Sequence, residues 1–140
     1  MNNAKATTST VIPALRYRDA HKAIEWLERA FGMKRQAVYD GPNGTVAHAQ
    51  LTFGNGMVML GSAANADPTY KISQPDEVGG KVTSATCLIV ADAAAVFAQA
   101  TAAGAEVTMP LMEMDYGGKA FNVRDPEGHL WSVGEYDPWA

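Results

Sequence analysis

The sequence predicts an α+β fold assembled from two successive βαβββ modules, and three observations carry that expectation. Apolar residues alternate along short β-rich runs in both halves, and each half contains one helical pattern. Each helical pattern is preceded by an aspartate, Asp19 or Asp92, and closed by a glycine, Gly32 or Gly104. Gly32 and Gly104 lie 72 positions apart, and so do the turn glycines Gly56 and Gly128. The same punctuation around the same order of elements reads as an internal duplication, a signal that decides fold class more firmly than local propensity does.

Residues 1–9, polar and rich in Thr and Asn, read as a flexible leader. The first module, residues 10–62, opens with a β-rich run from Thr10 to Tyr17. Asp19 then sits at a helix N-cap, where a short carboxylate accepts from a first-turn N–H. Across Ala20–Phe31, Ile24, Leu27 and Phe31 fall at helical spacing, while Lys22, Glu25, Glu28 and Arg29 turn away. Gly32 stops the helix. Strands follow at about 35–39, 46–53 and 57–60, separated by Asn43-Gly44 and Gly54-Asn55-Gly56.

Residues 63–81, with Pro68, Pro75, Gly79 and Gly80, form a linker too long for a plain turn. It reads as a surface crossover or, more sharply, as a lid with Tyr70 as its contact. The second module, residues 82–140, repeats the first: a strand from Val82 to Val90, Asp92 as N-cap, a helix over Ala93–Ala103, and strands at about 107–109, 119–123 and 130–133. Asp125-Pro126-Glu127-Gly128 turns the chain between the last two, because Pro presets φ and Gly tolerates the left-handed region. One structural domain in total is expected.

Composition excludes several function classes. A chain of 140 residues has room for one core. The net charge of −4, without a basic block, leaves no nucleic-acid footprint. Mean hydropathy is −0.13, and no apolar run approaches the roughly 20 residues of a membrane span. Met1-Asn2-Asn3-Ala4-Lys5 is followed by no apolar signal core, so a cytoplasmic location is expected. The single cysteine, Cys87, allows neither an internal disulfide nor a cysteine zinc cluster. Nucleophile-elbow and phosphate-loop motifs are absent.

The run Phe121 to Trp131, with Arg124-Asp125-Pro126-Glu127-Gly128 at its centre and closing a two-fold repeat, resembles the vicinal-oxygen-chelate superfamily. That superfamily includes glyoxalase I, extradiol dioxygenases and bleomycin-resistance proteins, and the resemblance covers about Val11 to Trp139. It implies the glyoxalase/bleomycin-resistance fold, in which paired modules form an open, incomplete barrel with a concave cleft. Metal-bearing members place ligands on the first and last strands of each module. Aligning Leu15 to Asp19 with the usual end of the first strand puts those positions at Ile12, at Met59 or Leu60, at Ala85 and at Ser132. Zinc and first-row metals want His, Cys or carboxylate side chains, and Ser132 is a poor ligand unaided. The metal site therefore reads as lost, no cofactor is expected, and the chain looks like the metal-free, PhnB-like branch.

Strand parity then selects the candidate site. His48, Gln50 and Thr52 share one face of their strand, opposite the apolar set Ala47, Ala49, Leu51 and Phe53. Ile12, Ala14 and Arg16 face the cleft by the same logic. The candidate ligand-binding set is Arg16, His48, Gln50, Met59, Cys87 and Ser132, with Tyr116 and Trp139 as apolar walls. His48 is the general base if the protein is an enzyme; otherwise no catalytic residue is assigned. Arg16 needs either an acidic partner or an anionic ligand. His21, Glu113, Asp115 and Glu135 read as solvated, His129 as a turn contact, Arg124 and Asp125 as braces of the hairpin, Trp131 as core, and Trp26 as a module or dimer contact.

The expected function is reversible binding or sequestration of a small apolar or aromatic compound by a homodimer, as in antibiotic resistance, with neither nucleic acid nor membrane as partner. A metal-dependent glyoxalase-, epimerase- or dioxygenase-like enzyme is the main alternative. A protein interaction module is the second.

Overall fold

The computed structural model describes residues 2–140 and has the expected α+β architecture. In chain order the elements are β1 (Ala14–Tyr17), α1 (Ala20–Phe31), β2 (Lys34–Asp40), β3 (Val46–Phe53), β4 (Gly56–Ser62), β5 (Thr86–Ile89), α2 (Ala93–Ala102), β6 (Glu106–Glu113), β7 (Lys119–Arg124) and β8 (Leu130–Gly134). They build two four-stranded sheets of the same topology, ordered β1-β4-β3-β2 and β5-β8-β7-β6. In each sheet the first strand runs parallel to its neighbour and the remaining pairs are antiparallel. The chain divides into two compact units: residues up to Glu28 together with Gly32–Ile72, and Arg29–Phe31 together with Ser73–Ala140. Among the described residues, no helix is long and apolar enough to cross a membrane.

In the first unit, Asp19 caps α1 by accepting from the Lys22 N–H at 3.1 Å, and Gly32 closes it at φ 74° with its N–H on the Glu28 carbonyl. Ala20, Ala23, Ile24, Leu27 and Ala30 bury one stripe at spacings of three and four. Trp26 lies beside the stripe in sequence, and its large side chain is buried as well. β1 starts at Ala14, later than the β-rich run suggests, because Pro13 has no N–H to give to a ladder. Its carbonyl still accepts from Met59 N at 2.9 Å. On β3, Ala49 and Leu51 are fully buried, whereas His48, Gln50 and Thr52 are partly open.

The second unit follows the same rules. Asp92 caps α2 through the Ala95 N–H, and Phe97 meets Phe121 edge-on with ring centroids 5.1 Å apart. Phe121, Val123, Trp131 and Val133 bury one face of the sheet, leaving Cys87, Asn122 and Ser132 on the other. β6 runs longer than its apolar core indicates and contains Pro110; as an edge strand paired only with β7, it tolerates the missing donor. Between the units' elements, residues 63–65, 68–70 and 75–78 form short 3₁₀ turns. Gln74 N donates to Glu77 Oε1 at 2.8 Å across the last of them.

Asp125 organises the β7–β8 hairpin. Its Oδ1 accepts from the Glu127 and His129 N–H groups at 3.1 and 3.0 Å, and its Oδ2 from Trp131 Nε1 at 3.0 Å. Arg124 donates to the carbonyls of Gly80 and Gly128 at 2.7 and 2.8 Å. Both residues brace the turn.

Glu135 is a tie rather than a solvated loop charge. One carboxylate oxygen accepts from Ala93 N at the start of α2, the other from Lys119 N at the start of β7, both at 2.9 Å. Those two backbone donors, Ala93 first, hold its pKa below the ordinary glutamate value. A lowered folded-state pKa stabilises the fold above the unfolded value of about 4.3, and that contribution is lost as pH falls through the folded-state value. Glu135→Gln should therefore lower the unfolding midpoint at pH 7, and its difference from the parent chain should shrink on acidification below pH ~4. Thermal unfolding of both chains across that range checks this; a difference independent of pH would exclude it.

Candidate functional site

Each sheet has a buried face and an open face, and the candidate residues sort onto the open faces. In the first unit β4 offers Met57 and Met59 to the open face, while Val58 and Leu60 are buried on the other and Gly61 is covered. Register sets the row Ala14–Met59–Gln50–Ala37 across all four strands. Arg16 pairs with Gly61, and its guanidinium lies directly over that glycine: a Cβ there would come 2.5 Å from Arg16 Nη1 and 2.9 Å from the Ala47 carbonyl oxygen. Arg16 also donates to the Ser62 carbonyl at 3.4 Å. The chain itself thus holds this cation in place.

Beside it, three polar side chains form a line across β3 and β2. His48 Nε2 lies 3.0 Å from Gln50 Oε1, and Gln50 Nε2 donates to Gln36 Oε1. With the Gln50 carboxamide oxygen as the acceptor, the Nε2–H form of His48 is the one that makes this bond. Tyr39 pairs with His48 in register, and the two rings stack with centroids 6.2 Å apart.

One end of the same face forms a cavity of about 280 Å³. Ile12 and Met57 supply apolar surface, Gln36 and Thr52 supply hydrogen-bonding groups, and the Gly54-Asn55-Gly56 turn bounds it. Thr7, Thr8 and Ser9 of the leader complete the lining. None of the residues lining it carries a charge.

The open face of the second unit carries the row Cys87–Ser132–Asn122–Met109. Cys87 is exposed. Asn122 Oδ1 is buried without a hydrogen-bond partner among the described residues. Tyr116, in the β6–β7 turn, packs edge-on against Tyr136 at 5.3 Å. Trp139 is 90% exposed, and its backbone N–H donates to Asp137 Oδ1.

The structure thus places Arg16, His48, Gln50 and Met59 together on one face of the first unit, and Cys87 next to Ser132 on one face of the second. Tyr116 and Trp139 belong to a turn and to the chain end. Sequence reasoning missed Gln36 and Asn122. Gln36 lies at a register shift between Arg35 and Ala37, where simple alternation fails to tell which face a side chain takes. Asn122 could have been found, since it shares the parity of Ala120 and opposes Phe121 and Val123.

The donor chemistry for a metal does not fit. Ile12 lines the cavity, Met59 sits in the open row, Leu60 is buried, Ala85 is exposed and Ser132 lies beside Cys87, and none of them brings His, Cys or carboxylate to the positions the family uses. No group of three or more His, Cys, Asp or Glu side chains could hold a metal ion among the described residues.

Residues 10–133 match the model of the Glyoxalase/Bleomycin resistance protein/Dioxygenase superfamily. An uncharacterized protein of Mycobacterium bovis is 33% identical over 123 residues, covering 88% of this chain and 80% of that one. Among solved structures, TioX from Micromonospora sp. ML1 is 32% identical with a TM-score of 0.73, covering 92% of this chain and 99% of its own. A bleomycin resistance determinant encoded on transposon TN5 shares the fold at 18% identity and a TM-score of 0.63, covering 92% of this chain and 98% of its own. Matched over nearly its whole length, the chain belongs to the Glyoxalase/Bleomycin resistance protein/Dioxygenase superfamily.

Proposed function

We propose that this chain is a binding protein that takes up a small apolar or aromatic molecule reversibly, without metal and without altering it, in the manner of a bleomycin-resistance or PhnB-like protein. The observation that supports this reading most is the partly apolar cavity on the open face of the first sheet, lined by Gln36 at the end of the hydrogen-bonded line from His48 through Gln50. Small-molecule sites share that make-up of apolar walls with a few placed polar groups. The non-ligand side chains at the family's metal positions also favour binding over metal-assisted chemistry. Sequestration as a homodimer in the cytoplasm completes the reading.

The test combines metal content with ligand uptake. Protein purified without chelator or affinity metal should hold far less than one metal ion per chain. It should take up acetophenone or 2-naphthol saturably and return either unchanged. About one metal per chain, with uptake abolished when it is stripped, would instead support the metalloenzyme reading, and His48→Ala would then be the first variant to assay for lost turnover.

A further inference from the structure

We infer that the cavity beneath the leader selects uncharged ligands that present a hydrogen-bond acceptor, and that Gln36 is the residue that reads it. This rests on the binding reading above and narrows it to a ligand class and a specificity residue.

The inference follows from the direction of one hydrogen-bond chain. His48 Nε2–H donates to Gln50 Oε1, and the Gln50 amide donates in turn to Gln36 Oε1. With its oxygen already accepting from Gln50, Gln36 keeps both N–H donors but only one oxygen lone pair, and it lines the cavity. The chain therefore ends in a group whose free hydrogen-bonding capacity is mainly that of a donor. If Gln50 turned its amide round, Gln36 would present an acceptor instead, but His48 would then have to give up its Nε2 proton. The imidazole tautomer thus sets the polarity that the cavity shows to a ligand.

The walls restrict the ligand further. Ile12 and Met57 favour an apolar body, and the hydroxyls of Thr7, Thr8 and Thr52 are neutral. A charged ligand would lose hydration against a lining with no opposite charge to meet it. A carbonyl on a small hydrocarbon or aromatic frame meets each of these conditions. His48 and Gln50 are positioning residues on this account: they orient Gln36 and need not touch the ligand.

Acetophenone, toluene, benzoate and benzylamine share a ring and differ in charge and acceptor, which makes them suitable probes. Binding should be followed on the full, isotope-labelled chain by NMR, through the Gln36 side-chain amide and the signals of Thr52 and Met57. Acetophenone should perturb these signals and bind on the order of tenfold more tightly than toluene, with benzoate and benzylamine weaker still. Gln36→Met should remove the preference over toluene. Gln50→Met should remove the same preference and shift the Gln36 side-chain amide signals of the ligand-free chain, a readout that a merely structural role would not move. The His48 ring nitrogens should report the Nε2–H tautomer in the acetophenone complex.

Equal affinity for all four probes, or an Nδ1–H tautomer, would overturn the inference. So would acetophenone shifts confined to the second sheet, around Asn122 and Ser132; those would leave the binding reading standing with its site elsewhere. Failure of every probe to bind saturably would remove the binding reading itself.

Discussion

Asp125→Ala should destabilise the fold by about 3 kcal/mol, because a buried carboxylate that satisfies three donors is lost at once. Two of those donors are backbone N–H groups of the turn, and the third is the indole of a fully buried tryptophan. The turn N–H groups of Glu127 and His129 lie in a partly exposed hairpin and can recruit water. The Trp131 N–H cannot, so most of the cost resides there. Asp125→Asn refines the argument. Its remaining oxygen can still serve the turn, but its NH₂ would face the indole N–H, donor against donor. Asn should therefore recover little of the loss. Chemical denaturation of the three chains, compared at equal slope, measures this. A loss below about 0.5 kcal/mol for Ala would mean that the turn's own backbone bonds, Asp125 N to the His129 carbonyl and Gly128 N to the Asp125 carbonyl, suffice to hold the hairpin.

The parts of this fold that the sequence makes legible depend on short-range physics. α1 is an example: an N-cap aspartate, a stripe at spacings of three and four, and a glycine stop are all local signals, and the helix spans the residues they delimit. The alternation of His48, Gln50 and Thr52 against Ala49 and Leu51 is equally local, because a strand's period is two. What escapes the sequence is set by partners far along the chain or by broken periodicity. Glu135 caps a helix that begins 42 residues earlier, and no spacing rule connects the two. Gln36 escapes for another reason. A bulge in β2 breaks the alternation beside it, so the residue that continues the His48–Gln50 line cannot be picked out by counting. The leader is a third case. Thr7, Thr8 and Ser9 line a cavity, and polarity alone gave no sign of it.

Trp131→Ala should be more damaging still, by about 4 kcal/mol, the range typical of truncating a buried aromatic. The side chain is fully buried, its ring centroid lies 5.3 Å from that of Phe31, and its indole N–H donates to Asp125. Two losses are mixed in that figure, a cavity and a hydrogen bond, and Trp131→Phe separates them by keeping most of the ring volume while removing the N–H. With Phe at 131, Asp125 no longer has an indole to satisfy, so Asp125→Ala should cost less in that background than in the parent chain. The difference, a coupling of about 1–2 kcal/mol, is the worth of the indole–carboxylate bond. The four chains of this cycle can be compared by urea unfolding. If Asp125→Ala costs the same in both backgrounds, the carboxylate acts through the turn N–H groups alone, and the hairpin's stability is a local property of Asp125 to His129. If the coupling is found, the turn residue Asp125 is also what seats Trp131 in the core, and turn and core are stabilised by one carboxylate.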